Sequence, residues 1–172
     1  MSMTGSAVLT RVAALVAAIL TAVVAYAGPS AAGSLSTPQK FYADSGDRCH
    51  YGATEGTLTW HTIGPTVFTR VYLEGTLTDR PASTEPGVCA DDRMYSSANY
   101  IAYADRTIVD TARLKVDNGA VPLRDVLGDQ VTGSSVIDRV VVQVCRFPTT
   151  PIGISYCGSP QTYRPIWTTP AG

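Results

Sequence analysis

Four cysteines and two histidines hold most of the covalent and acid–base chemistry open to this 172-residue chain. The cysteines are Cys49, Cys89, Cys145 and Cys157, an even number with no C-x-x-C pair and no histidine at a metal-ligand spacing. That pattern favours two disulfides over a metal centre or a redox motif. Cys145 and Cys157 are close in sequence with a Pro-rich turn between them, so the expected pairing is Cys145–Cys157 with Cys49–Cys89. On the loop-entropy model the longer and shorter links contribute ~4 and ~3 kcal/mol.

His61 follows Trp60 in an alternating stretch and is a candidate general base, although a strand histidine more often sits on a wet face. His50, beside Cys49, reads as a loop residue shielding a disulfide. Neither a G-x-S-x-G elbow nor an H-E-x-x-H pair occurs. A triad is assembled in space rather than in sequence, so a small hydrolase stays open as an alternative, with no catalytic residue assigned. Asp91 and Asp92, with Asp79 and Glu85 upstream, are weak candidates for oxygen ligands to Ca²⁺. EF-hand spacing is missing and Arg80 and Arg93 are interleaved, so a solvated, ion-paired loop is the preferred reading. No cofactor and no metal are expected.

Two stretches could bind rather than react. Tyr72 lies on the polar parity of its strand and is a candidate platform for a glycan, because an aromatic face stacks on a sugar ring. The 146–156 segment, RFPTTPIGISY, carries two prolines between two cysteines. Held at both ends, it could present a rigid loop that loses little ordering entropy on association. Phe147, Pro151, Ile152 and Ile154 are its candidate contact residues, and a secreted protease inhibitor would use such a loop. The competing reading folds the loop back to bury Phe147, Ile152 and Ile154 over the end of the domain.

The elements that position these residues are strands. Val140, Val141, Val142 and Val144 form a β-branched run bounded by Arg139 and Arg146, expected to be a central strand buried on both faces. The two arginines read as gatekeepers of an aggregation-prone window. In residues 66–78, Val67, Val71, Leu73 and Leu77 share one parity, while Phe68, Arg70, Tyr72, Glu74, Thr76 and Thr78 share the other. This is a half-buried strand, with Gly75 marking a bulge or a close backbone approach. Residues 56–61, 99–104 and 107–116 supply further strands, the last placing Asp110 on an apolar parity where it needs a partner. Pro122 assigns 121–127 to a sheet edge, and Asp117-Asn118-Gly119 marks a turn.

Turn signals every 8–12 residues, with no amphipathic helical pattern, predict an all-β, two-layer antiparallel β-sandwich of six to seven short strands. The interval from Cys49 to Trp60 invites comparison with an immunoglobulin domain. No tyrosine stands two residues before Cys89 or Cys157, however, so no family follows.

Arg11 precedes an uncharged apolar run ending in Ala25-Tyr26-Ala27, which predicts a signal peptide over 1–27. Then come a flexible segment over 28–40 and a single domain over 41–172 with a Pro-rich tail, in which Tyr163, Ile166 and Trp167 are expected to pack. Removing the leader takes away Arg11 alone and shifts the formal charge from −1 to −2. So near-neutral a balance argues against a nucleic-acid partner. No later stretch spans a bilayer, so no membrane partner is expected after leader removal. Eleven arginines to two lysines, with an Ala-rich leader, suggest a Gram-positive secreted protein. The function expected is non-enzymatic: a secreted or cell-wall-associated binding module for an extracellular protein or a wall glycan.

Overall fold

Alternation decides the architecture, because a strand with one apolar parity must turn that face toward another layer. The computed structural model describes residues 34–63, 68–80, 89, 92–128 and 136–166. The expected leader, Val67, Glu85, Asp91 and Trp167 lie outside them. Two antiparallel sheets pack face to face and carry two disulfides. Among the described residues no helix is long and apolar enough to cross a membrane.

In the first sheet, β3 (Gly52–Ile63) pairs with β4 (Phe68–Asp79), and β4 pairs with β7 (Ala120–Leu127). β1 (Ser34–Leu35) and β2 (Gln39–Asp44) both pair with β3. In the second sheet, β5 (Met94–Ala104) lies between β6 (Thr107–Val116) and β8 (Arg139–Pro148). β9 (Tyr156–Cys157) and β10 (Gln161–Tyr163) both pair with β8. Among the described residues seven strands run six residues or more and three are only two or three long. The long ones exceed the short strands anticipated from the sequence.

The core lies between the inner faces. β3 and β4 contribute Leu58, Trp60, Val71, Leu73 and Leu77, and β8 contributes Val140, Val142 and Val144, all buried. The expected parity of β4 holds over Val71, Leu73 and Leu77. Gly56 and Gly75 face each other across β3 and β4, where an added Cβ would strike the backbone carbonyl of Glu74 or Glu55 on the opposite strand. Gly75 thus marks a close approach rather than a bulge. Asp110 finds its partner in the Gly128 N–H at 2.6 Å. Pro122 sits on an edge strand as expected, its missing donor costing no ladder bond.

Three expectations are corrected. β8 is central in its sheet, but only one face enters the core: Val141 and Gln143, on the other, are half-buried. An antiparallel sandwich leaves the outer face of each sheet uncovered. The segment expected to be flexible over 28–40 includes β1 and the start of β2, and Ser36 accepts the Trp60 N–H at 2.9 Å and donates its own to the Trp60 carbonyl at 2.8 Å. In the tail, Tyr163 packs edge-on against Phe41 and bonds the Tyr42 backbone, whereas Ile166 remains exposed.

Candidate functional site

β8 carries the site at its C-terminal end. Inner-face parity places Arg146 after Val140, Val142 and Val144, so its side chain is directed into the end of the sandwich and is 1 % exposed. A guanidinium there must be paired, since an isolated buried charge is strongly disfavoured. Arg146 forms ion pairs with Asp79, itself buried, and with Asp92 at 2.6 Å, and donates to the Ser96 hydroxyl at 2.7 Å. Asp79 in turn accepts from Ser96 at 3.0 Å and from the Asn118 N–H at 3.0 Å. The Tyr51 ring lies 5.2 Å from the guanidinium. Burial pulls the Arg146 guanidinium below its ordinary value, against the stabilising influence of Tyr156, Asp47 and Tyr51.

Asp47 completes this root. Burial pushes its carboxyl up, but the Ser45 hydroxyl, the N–H groups of Tyr51 and Cys49, and Arg146 outweigh that and hold it below the usual carboxylate range. The Tyr156 hydroxyl donates to it at 3.4 Å. Burial, with Asp47 beside it, raises the Tyr156 phenol.

Directly above the root, Cys145 and Cys157 face each other across β8 and β9 and are joined, as are Cys49 and Cys89. Both pairings are those expected from the sequence. The 149–155 segment between β8 and β9 leaves the domain. Thr149 donates through both its N–H (3.0 Å) and its hydroxyl (2.9 Å) to the Arg93 carbonyl, while the Thr150 hydroxyl donates to the Ile152 carbonyl at 3.0 Å. Gly153 seats on Pro148 so closely that a Cβ would come within 2.7 Å of the ring. These contacts fix the loop's shape, and its tip points into water: Ile152 is 90 % exposed and Ile154 87 %. Pro151 is exposed beside them.

The loop therefore does not fold back over the sandwich. Of the three side chains that such a cap would bury, only Phe147 is partly covered. It stacks on Tyr95 at 5.4 Å on the outer face of the second sheet. Arg113 lies over the Phe147 ring at 5.7 Å and Lys115 over the Tyr95 ring at 3.5 Å. The strand register sets the order: Tyr95 pairs with Phe147 at the base of the loop, and Lys115 and Arg113 start further from the tip, opposite Ser97 and Asn99, with their charged heads over the rings.

The remaining candidates are dispersed. Tyr72 is 37 % exposed and lines a cleft of about 520 Å³ where β6 and β7, the edge strands of the two sheets, approach. Asp110, Arg124 and Asp125 share that cleft. His61 faces Tyr72, ring centroids 6.2 Å apart, on the outer face of the first sheet. His50 pairs with Asp44 at 3.2 Å, giving a carboxylate–imidazole couple, but among the described residues no hydroxyl is bonded to that ring. Asp92, a weak Ca²⁺ candidate, commits one oxygen to Arg146 and to the Met94 N–H at 3.1 Å. Among the described residues no group of three or more His, Cys, Asp or Glu is placed to hold a metal ion.

Sequence reasoning missed Arg146. Read only as a gatekeeper bounding the valine run, it is buried. The available signal was parity, because Arg146 falls in step with the three inner valines. Comparison with protein-family models, with curated proteins and with solved structures found no match.

Proposed function

We propose that this protein is a secreted, non-enzymatic binding module that docks through the 149–155 loop. The observation carrying this reading is the near-complete exposure of Ile152 and Ile154 on a loop fixed by a disulfide, three side-chain or backbone hydrogen bonds and the Gly153–Pro148 contact. Lone exposed apolar residues are ordinary on protein surfaces, but two aliphatic side chains held out together on a rigid projection are not. Burying both against a partner would contribute about 3–6 kcal/mol, with little ordering entropy to offset. Export is supported by the two disulfides and by the apolar N-terminal run.

The test is partition. Wild-type protein and the Ile152→Ser/Ile154→Ser variant, added to the producing cells, should divide differently between envelope and medium, the variant shifting to the medium. Identical distributions would end the loop reading.

A protease inhibitor is the second reading, favoured by the Thr150 hydroxyl bond that fixes the Ile152 carbonyl. It requires stoichiometric loss of activity in a subtilisin-like or elastase-like enzyme, and the loss must vanish with Ile152→Asp.

A further inference from the structure

Resting on the loop reading above, we infer that the surface this loop docks on is the interface of an anionic lipid bilayer. The order of chemistry along the projection carries the argument. Ile152 and Ile154 stand outermost, the stacked Tyr95 and Phe147 lie at the base of the loop, and the exposed Arg113 and Lys115 cover those rings from outside. A bilayer presents the same sequence in depth: hydrocarbon, then the interfacial zone where aromatic rings gather, then phosphates that attract cations. A binding pocket in another protein imposes no such order.

The described carboxylates beneath the loop are engaged within the root: Asp79 and Asp92 share the buried Arg146, and Asp47 accepts from Ser45 and Tyr156. Stable attachment to a membrane surface takes two signals, an apolar insertion and an electrostatic attraction, and this projection holds both. The contact is peripheral and involves a two-residue apolar tip. A search for long apolar spans passes over such a feature, which is why the sequence offered no reason to expect it.

The experiment is co-sedimentation of the oxidised protein with vesicles of phosphatidylcholine alone or with about one-third phosphatidylglycerol. Wild type is expected on the anionic vesicles and to be released by high salt. Ile152→Ser/Ile154→Ser should abolish binding, with an unchanged melting temperature confirming that the exposed tip is not needed for folding. Arg113→Gln and Lys115→Gln should each weaken binding about fivefold. Failure of the wild type to bind anionic vesicles overturns the lipid inference alone and leaves the loop reading to the partition test. Binding that survives loss of both isoleucines overturns the lipid inference and the loop reading together.

Discussion

Arg146 and Ile152 are six residues apart on one chain segment and invert the usual placement of their kinds. The guanidinium is sealed inside the sandwich, while the aliphatic side chain stands in water. At the root, the cost of removing a charge from water is offset locally, by Asp79, Asp92 and Ser96. At the tip, the cost of exposing hydrocarbon has no local offset among the described contacts. A compensated anomaly holds the fold, whereas an uncompensated one is where the proposed docking surface lies. The other exposed aliphatic residues, Ile108, Val136 and Ile166, lie singly on an edge strand or in connecting and tail segments and carry no such meaning.

The largest effect that would break this contrast comes from the root. Arg146→Met should lower the unfolding free energy by about 3–5 kcal/mol, because it strands Asp79 as a buried unpaired charge. Ile152→Ser/Ile154→Ser should change it by less than about 0.5 kcal/mol. Urea titrations of both variants check this, and comparable losses would erase the distinction between a structural root and a functional tip.

Alkali sharpens it next. Tyr100, fully buried and bonded through its hydroxyl to Thr54 at 2.6 Å, has its pKa raised by burial from 10.0 to about 12. The folded value exceeds the unfolded one, so this contribution is complete below pH 10 and fades as pH climbs through 12. Roughly 2–3 kcal/mol is lost across that window. Tyr100→Phe should flatten the decline, whereas the tip variant should leave it untouched. The measurement is unfolding free energy against pH.

The smallest effect concerns acid. Asp47 is held below its ordinary value, so its contribution is present above the unfolded carboxylate pKa and is lost as pH falls through the folded one. Asp47→Asn should be less stable than wild type at neutral pH, with the gap closing below about pH 4. A gap that widened in acid would contradict the assigned environment.

Much of the scaffold was legible because local chemistry enforces it. Alternation gave Val71, Leu73 and Leu77 their inward face, Pro122 an edge strand, and Asn118 its turn, with φ at 49°. The disulfide pairing followed from proximity in sequence. The β5 strand was read too short because Ser96 and Ser97 look like loop residues, yet both are buried and bonded to distant groups. Arg146 was misread for the same reason: its partner Asp79 is 67 positions earlier, beyond any local pattern. Whether Ile152 and Ile154 faced the core or water was open in the sequence, because a loop has no parity to decide it.

The path of the chain through the two layers has a consequence for how the protein is made. The turn at 117–119 carries the chain from β6 in one layer to β7 in the other, so β4 gains its outer neighbour only after the β5–β6 hairpin of the opposite layer has been synthesised. β5 must then wait for β8, nearly 35 residues after it ends, with Ala98, Tyr100 and Ala102 still lacking their later partner strand. The first layer has all its strands only at Leu127 and the second only at Tyr163. Each layer therefore waits on distant pairings, which makes for slow acquisition of the native state.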